Sequence, residues 1–368
     1  MKKLGRAFLV PSVGLLSGLA LVGSAAGTTS TSSSSKVRHL QVGVAALAIE
    51  GDRVAYDASS YLVAKPAPNR VRVWNVRTGK TVTVSGKKTA AADTSSTGTG
   101  VFQLAISGSR VAWLMNEGGN LEGDDYLFTS SLTKPGEHQV ASEVRTGDGC
   151  AGRSASICAG QWLGGLVGSG NLLALNRWTT DGTGAVTAGQ LDLLSGTKLK
   201  QVATGPGTVQ AVVADAGRVA VLHADGTVAL YSAAGKLLLT VNTPSNTEAV
   251  ALRGESLLVG TKTRQLELYN THTGSLRKTF NARGNGRQPR NLGIQGNIAI
   301  YTTGNAGVLH AVNLTTGKDR PVVERHGGVS LAHIDSAGVA YVDDGSGVNF
   351  GKATLVFLPL AKVAAALR

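Results

Sequence analysis

The chain has 368 residues, of which 49 are glycine, and its 36 basic residues outnumber its 23 acidic ones to give a net charge of +13. A composition of 42% hydrophobic and 16% charged residues excludes an intrinsically disordered chain, and the absence of a G-X-Y period excludes collagen. Two cysteines are too few for a disulfide scaffold or a four-cysteine metal site.

The first 26 residues have the pattern of a secretory signal peptide. Lys2, Lys3 and Arg6 precede an apolar stretch over residues 8–22, and small residues follow up to Ala26. The alternative is an N-terminal membrane anchor, but this stretch is shorter than the roughly 20 residues that a spanning helix needs. We therefore expect cleavage after residue 26, a flexible Ser/Thr-rich tether over residues 27–39, and a protein that is secreted or associated with the cell surface.

The net charge gives a first indication of the partner. Cleavage would remove three basic residues and no acidic one, which leaves a net charge of +10. Outside the cell, that charge favours an anionic cell-surface polymer. The basic residues are spread along the chain without interleaved aromatic residues, so no specific nucleic-acid partner is predicted.

From residue 40 onward the chain repeats a pair of β-hairpins. In the first hairpin two apolar strands flank a turn that contains glycine, as in Leu47–Tyr56. A tight hairpin turn needs a residue that tolerates positive φ, so glycine is expected in each of these turns. The seven copies are marked by Gly51, Gly108, Gly170, Gly217, Gly254, Gly296 and Gly338.

The second hairpin of the repeat has an apolar strand that ends in Asn or Asp, followed by two variable residues and Thr/Ser-Gly. Clear copies are Val73–Lys80, Leu191–Gly196, Leu268–Gly274 and Val312–Lys318. The Asn or Asp side chain is expected to accept hydrogen bonds from backbone amides within the turn. The last copy, Thr354–Lys362, keeps the strand and lacks the glycine.

Two hairpins in each of seven units predict an all-β fold, a seven-bladed β-propeller of four-stranded antiparallel blades over residues 40–368. A two-domain α/β fold is disfavoured because no 12-residue stretch of the mature chain has a persuasive helical period. Residues 36–42 are predicted to add a strand to the last blade and close the ring. Residues 362–368 form either a short helix or the last strand, and we expect a monomer.

The segments Asn75–Lys80 and Asn313–Lys318 resemble the blade signature of the quinoprotein-like (PQQ-like) and YVTN/WD40-like β-propellers. The resemblance implies the propeller architecture. It does not extend to a quinone site, because the tryptophan after Thr-Gly-Lys and the vicinal cysteine pair of the quinone-dependent dehydrogenases are missing. No cofactor and no metal site are predicted.

Insertions break the repeat in the first three units, at residues 57–70, 86–100, 115–125, 146–161 and 176–189. In a propeller these connections emerge on one face, where repeat folds commonly bind ligands. Trp178 either contacts a ligand or packs over the sheet as a lid. Residues 122–125 form either a calcium site or a solvated acidic turn, and the acidic turn is the favoured interpretation. The candidate ligand-binding residues of this face are Tyr61, Arg70, Asp124, Asp125, Arg153, Trp178 and Asp181.

Cys150 and Cys158 lie within one of these insertions. In an exported chain the two are expected to form a disulfide. A redox-active pair is the alternative, although the spacing differs from Cys-x-x-Cys.

The sequence contains no metalloprotease, P-loop or nucleophile-elbow motif, and its seven histidines lack metal-ligand spacing, so no catalytic residue is predicted. We therefore expect an exported, non-catalytic propeller that binds a protein or a cell-surface polymer through the loops of blades 1–3. The alternative is a propeller enzyme, similar to lactonases, lyases or quinoproteins, with a polar or metal site in the central channel. Convergence of carboxylates or histidines at the channel axis would favour that alternative.

Overall fold

Antiparallel strands dominate the protein throughout the part of the chain that is described. A computed structural model describes residues 36–58, 68–91, 100–118, 122–146, 159–205, 209–215, 217–283, 288–304, 307–322, 328–343 and 353–368. In these ranges the chain forms 28 strands and two short helices. The strands fall into seven groups of four antiparallel strands, which confirms the seven-bladed propeller.

The first strand, β1 (Arg38–Gln41), precedes blade 1, and the other strands are numbered in chain order. Within each of blades 1–6, the four strands run from the innermost to the outermost in sequence order. Blade 1 contains β2 (Leu47–Glu50), β3 (Arg53–Asp57), β4 (Val71–Asn75) and β5 (Thr81–Thr83); blade 2 contains β6 (Gly100–Ser107), β7 (Arg110–Gly118), β8 (Glu122–Ser131) and β9 (His138–Thr146); blade 3 contains β10 (Ala159–Ser169), β11 (Leu172–Thr180), β12 (Val186–Ser195) and β13 (Lys198–Gly205).

The remaining blades have shorter strands. Blade 4 contains β14 (Val209–Asp215), β15 (Arg218–His223), β16 (Thr227–Ser232) and β17 (Leu237–Asn242); blade 5 contains β18 (Thr247–Arg253), β19 (Ser256–Thr261), β20 (Gln265–Asn270) and β21 (Leu276–Asn281); blade 6 contains β22 (Pro289–Gln295), β23 (Ile298–Thr303), β24 (Leu309–Asn313) and β25 (Asp319–Pro321); blade 7 contains β26 (Val329–Asp335), β27 (Gly338–Asp343), β28 (Thr354–Pro359) and, at its outer edge, β1.

Much of the inserted sequence in blades 2 and 3 is strand, where the sequence analysis expected loops. The β7–β8 pairing extends to Gly118 opposite Gly123, and the β11–β12 pairing extends to Thr180 opposite Val186. The strand β10 also pairs with β9, which joins the two blades into one eight-stranded sheet. Because strand pairing satisfies the backbone polar groups of the inserted residues, the insertions extend the hairpins of blades 2 and 3.

The hairpin glycines behave as predicted in six blades. The φ of Gly51 is 56° and that of Gly108 is 60°, and the same positive-φ conformation occurs at Gly170, Gly217, Gly254 and Gly296. The prediction is wrong for Gly338, because the turn of blade 7 is formed by Ser336 and Ala337, and Gly338 is the first residue of β27. A Cβ at Gly338 would lie 2.3 Å from the Leu358 carbonyl oxygen, so close packing against β28 requires glycine there.

The second hairpin turn of the repeat is also confirmed. The Asn75 Oδ1 atom accepts hydrogen bonds from the backbone N–H groups of Arg77 and Thr78, at 3.1 and 2.9 Å. Asn313 accepts the equivalent pair of bonds at 2.9 and 3.0 Å. These turns therefore satisfy their own amide groups with a local side chain.

The apolar core is divided among the contacts between neighbouring blades. Seven clusters of buried side chains occur, and each draws its members from two adjacent blades. Between blades 1 and 2, for example, Trp113 and Phe128 lie in one cluster with Val71 and Val73. Each blade therefore depends on both of its neighbours to remove its apolar faces from water.

Two helices accompany the strands. Helix α1 (Lys87–Ala91) connects blades 1 and 2, and the Glu137 carboxylate accepts the backbone N–H of Lys88 at 3.0 Å. Helix α2 (Leu360–Ala366) follows β28, which confirms the helical alternative for the C-terminus, and it buries Val363 against blades 6 and 7. No helix within the described ranges has the length and apolar character to cross a membrane.

The N-terminal strand closes the ring, as predicted. It pairs with β28 of the last blade from Arg38 opposite Phe357 to Gln41 opposite Thr354. Leu40 and Val42 pack on the cluster between blades 7 and 1. The start and the end of the propeller are therefore joined within one sheet.

Deletion of residues 36–42 is expected to destabilise the propeller. The deletion removes a strand and the partial burial of three aliphatic side chains. The free energy of unfolding should therefore fall by roughly 3 kcal/mol. That loss corresponds to a fall in Tm of at least about 5 °C. Differential scanning calorimetry of a chain that begins at residue 27 measures the change. Deletion of residues 28–35 is the control and is expected to leave Tm unchanged, and equal melting of both variants and the parent would contradict closure by β1.

Candidate functional site

The innermost strands of all seven blades surround a central channel with a volume of about 220 Å³. Its wall is mostly apolar and includes Leu104, Val212 and Ala251. One end of the channel, here called the turn end, is formed by the turns between the first two strands of each blade. The opposite end, here called the mouth, lies where the innermost strands begin.

Carboxylates from three blades converge at the turn end, which the apolar sequence pattern did not reveal. The Glu50 Oε1 atom accepts the backbone N–H of Gly170 at 2.8 Å, and Oε2 accepts the N–H of Gly108 at 2.8 Å. The Arg53 guanidinium donates to Oε2 at 2.9 Å. Burial raises the pKa of Glu50, and Arg53 together with the two amides offsets this only in part. Glu50 thus connects blade 1 to blades 2 and 3.

A similar carboxylate–turn contact links blade 7 to blade 1 and blade 4 to blade 5. Asp335 accepts the N–H of Gly51 at 2.7 Å, and Asp215 accepts the N–H of Gly254 at 2.6 Å. The Arg253 guanidinium lies between these carboxylates, 2.8 Å from Asp335 and 3.5 Å from Asp215. An acidic residue before the turn therefore holds the turn of a following blade.

The mouth has a different character from the turn end. A cavity of about 540 Å³ opens there between blades 1, 2, 3, 4 and 7, and the described residues that line it include Phe102, Gln103, Trp178 and Gln210. Apart from His333, none of the lining residues in the described ranges has an ionisable side chain. His333 is exposed to the channel space, and desolvation by the surrounding channel wall holds its pKa below the usual value, so this side chain is neutral at pH 7.

Trp178 occupies one wall of the mouth. It faces Trp162 across the β10–β11 pair, with the two rings stacked 6.1 Å apart and inclined by only 3°. The Trp162 indole N–H donates to the Thr180 hydroxyl at 2.8 Å. A Cβ at Gly164 would lie 2.8 Å from the indole of Trp178, so the absence of a side chain at Gly164 makes room for this ring. Trp178 therefore packs on the sheet and also borders the cavity, and its contact with a ligand stays a prediction.

Asn176 lies two residues before Trp178 and lines the same cavity. Its side chain is only 4% exposed. Its Oδ1 atom is buried and has no hydrogen-bond partner. A buried amide oxygen without a donor is costly, and a group from outside the protein can satisfy it. The sequence analysis did not select Asn176 because a single Asn within a strand carries no recognisable pattern.

The other predicted residues of the face are found in different settings. Asp125 is 2% exposed, and its carboxylate accepts hydrogen bonds from the Asn116 amide at 3.0 Å and the Leu163 backbone N–H at 3.3 Å. It therefore ties blade 2 to blade 3. Asp124 accepts a hydrogen bond from the Tyr126 hydroxyl at 3.0 Å.

Asp181 stabilises the turn between β11 and β12. Its Oδ1 atom accepts hydrogen bonds from the Thr183 hydroxyl and backbone N–H at 2.6 and 2.8 Å, and these bonds hold the pKa of Asp181 below its usual value. Arg70 is exposed just before β4. Tyr61, Arg153, Cys150 and Cys158 lie outside the described residues, as do the predicted signal peptide and most of the tether.

An ion-pair cluster also joins the two blades that flank the mouth. The Arg177 guanidinium lies 2.9 Å from Glu143 of blade 2 and 3.1 Å from the fully buried Asp192 of blade 3. Together with Asp125, it fixes the extended hairpins of blades 2 and 3 against each other. The sequence indicated that these insertions are adjacent, but not which charges pair.

A second buried polar cluster lies in blade 6, away from the channel. The Asp319 carboxylate accepts a hydrogen bond from the Tyr301 hydroxyl at 2.6 Å and lies 2.8 Å from the His310 Nδ1 atom. The rings of Tyr301 and His310 stack at 5.1 Å. Burial disfavours the charged form, yet the hydrogen bonds from His310 and Tyr301 hold the pKa of Asp319 below its usual value. Throughout the described ranges, no three His, Cys, Asp or Glu side chains are grouped as the ligands of a metal ion.

Comparisons with known proteins give the fold alone. No family model and no curated protein matches the chain. A chain in the crystal structure of the mitotic checkpoint complex is similar over 97% of this chain and 99% of its own length, with 14% identity and a TM-score of 0.54. The designed protein Ika8 (14% identity, TM-score 0.48) and Sqt1 of Saccharomyces cerevisiae (10% identity, TM-score 0.49) each match 87% of this chain and 98% of their own. The WD40-like resemblance thus holds at the level of the fold.

Replacement of Glu50 by alanine is expected to lower the free energy of unfolding by about 2–3 kcal/mol, because charge-assisted bonds to blades 2 and 3 are lost. Urea unfolding at pH 7 measures the change. Glu255→Ala is the matched control, since Glu255 lies in the corresponding turn of blade 5 but its carboxylate is exposed and makes only surface contacts, 3.3 Å from Arg277 and 3.6 Å from His272. The control should change stability by less than about 1 kcal/mol. Equal effects of the two substitutions would contradict the role given to Glu50.

Asp319→Asn is expected to destabilise the protein in a pH-dependent way. Because the folded-state pKa of Asp319 lies below its usual value, its carboxylate stabilises the fold above about pH 4, and this contribution is lost as the pH falls through the lowered pKa. The difference in unfolding free energy between parent and variant should therefore shrink from pH 5 to pH 2.5, as followed by urea denaturation. A difference that stays constant over this range would show that the ionised carboxylate is not what stabilises the cluster.

Proposed function

We propose that the protein is an exported, non-catalytic binding module, and that its ligand is a protein or a cell-surface polymer held on the face formed by blades 1–3. One observation carries this proposal. An open mouth is lined by Phe102 from the innermost strand of blade 2 and by Asn176 and Trp178 from the extended hairpin of blade 3, and the buried Oδ1 atom of Asn176 has no hydrogen-bond partner in the protein. A concave site with aromatic side chains and a few polar groups is typical of a binding site.

The state of the channel carboxylates supports a non-catalytic role. Their convergence at the turn end is the feature that would favour a propeller enzyme. Glu50, Asp215 and Asp335, however, each accept the backbone N–H of a turn in another blade and lie near an arginine. Groups engaged in this way hold blades together, and a general acid or base needs a proton that it can exchange with a substrate.

The proposals on export and partner rest on different observations. Export rests on the signal-peptide pattern of residues 1–26. A protein partner is consistent with the fold, since the similar chain in the mitotic checkpoint complex belongs to a multiprotein assembly. An anionic polymer is consistent with the net charge of the chain.

The experiment begins with the full chain expressed in cells that have a general secretion pathway. Mass spectrometry of the protein recovered from the medium should give an N-terminus at Gly27, and retention of the whole chain in the cells would contradict export. The secreted protein is then sedimented with washed cell-surface material from the same cells, before and after protease treatment of that material. Binding that survives protease treatment indicates a polymer, and binding that is lost indicates a protein.

Trp178→Ala should weaken this binding at least about 10-fold, because an aromatic anchor in such a site contributes 2 kcal/mol or more. Leu276→Ala is the control, since Leu276 is 51% exposed on the outermost strand of blade 5. Equal binding by both variants, or no binding by the parent, would overturn the proposal. Multiple-turnover chemical change of the bound material would overturn its non-catalytic part.

A further inference from the structure

We propose that the mouth of the channel binds a neutral saccharide, with Trp178 as the stacking surface and Asn176 Oδ1 as a buried acceptor for a sugar hydroxyl. This inference rests on the proposed function and names the class of its ligand. It follows from three features of the same cavity, namely its unpartnered acceptor, its aromatic wall and its lack of charge.

The first feature is specific to blade 3. Asn176 is the fifth residue after the first turn of its blade, and Leu114 and Leu222 occupy this position in blades 2 and 4, both fully buried. The fold therefore accepts an apolar residue here and does not require an amide. Asn176 instead buries an oxygen that lacks a donor.

Equivalent polar residues in other blades do find partners. Asp57, at this position in blade 1, accepts the backbone N–H groups of Ala45 and Ala46 at 2.7 and 3.0 Å. Thr302, at this position in blade 6, donates to the Gly304 carbonyl oxygen at 2.9 Å. A donor from outside the protein can satisfy the Asn176 oxygen, and a ligand hydroxyl group is one that can supply it.

The second feature is that aromatic and amide side chains line the same cavity as Asn176. Trp178 provides a flat apolar surface that the C–H face of a sugar ring can cover, and Phe102 is 38% exposed beside it. The Gln103 Oε1 atom accepts the Leu166 backbone N–H at 2.9 Å, which directs the amide nitrogen of Gln103 to act as a donor. Gln210 adds a second, exposed amide. Donors and acceptors beside an apolar surface match a polyhydroxylated ring better than a purely apolar ligand.

The third feature separates a neutral ligand from an anionic one. The chain carries a large positive charge, but no Lys or Arg is among the described residues that line the mouth. The charged groups near the channel lie at the turn end and are engaged with the backbone and with each other. The described residues that line the mouth therefore offer no cationic group to a negatively charged ligand, which favours a neutral one.

The test is a calorimetric titration of the mature chain with neutral hexasaccharides, namely cellohexaose, mannohexaose, maltohexaose and chitohexaose, with hexagalacturonate as the charged comparison. We expect saturable binding of at least one neutral oligosaccharide and a Kd that does not change between 0.05 and 0.5 M salt. Asn176→Leu, which copies the residue of blades 2 and 4, should weaken binding at least 10-fold while leaving Tm unchanged or higher. Trp178→Ala should weaken binding to a similar extent, and Leu276→Ala should have no effect.

Other outcomes would overturn the inference. They are the absence of saturable binding to every neutral hexasaccharide at 10 mM, binding that Asn176→Leu leaves unchanged at unaltered Tm, or salt-sensitive binding of hexagalacturonate alone. If the secreted protein still binds cell-surface material in a manner that depends on Trp178, the proposed function stands and only the ligand class is wrong. If it binds no surface material, the proposed function itself fails.

Discussion

The structure depends on a single constraint, namely that no blade can bury its apolar faces alone. Every one of the seven buried clusters is shared between two neighbouring blades, so the ring is stable only when it is complete. Pairing of β1 with β28 supplies that completion by joining the two ends of the propeller in one sheet. Closure over so many residues is feasible because the entropy cost of closing a loop grows only slowly with its length.

Closure also explains why the two ends of the channel differ. At the turn end, Glu50, Asp215 and Asp335 each hold the turn of another blade, so this end is fixed by contacts that the ring itself requires. At the mouth, the innermost strands begin and the hairpins of blades 2 and 3 extend outward, with no requirement that they resemble the other blades. Sequence variation can therefore accumulate at the mouth without weakening the ring, which is where a repeat fold can acquire a binding site.

The architecture could be predicted from the sequence because its determinants are local. The positive φ of Gly51 and the side-chain bonds of Asn75 each involve residues only a few positions apart in the chain, so they recur as a visible pattern in most units. The contacts of Glu50 join residues 58 and 120 positions apart, and no local pattern reports them. At Gly338 the local pattern is present but misleading. This glycine has the expected spacing, yet it allows close packing against β28 and does not form the turn.

Of the two main residues of the candidate site, only one could be predicted from the sequence. Trp178 could be selected because an aromatic residue in an inserted segment departs from the repeat, whereas Asn176 is informative only when its burial and its missing partner are known. Leucine at the same position in blades 2 and 4 shows that the propeller accommodates an apolar residue there, and a buried amide without a partner is itself unfavourable. A buried oxygen without a partner, beside a glycine that makes room for a tryptophan, is the combination on which the proposed binding site rests, because neither feature contributes to the stability of the ring.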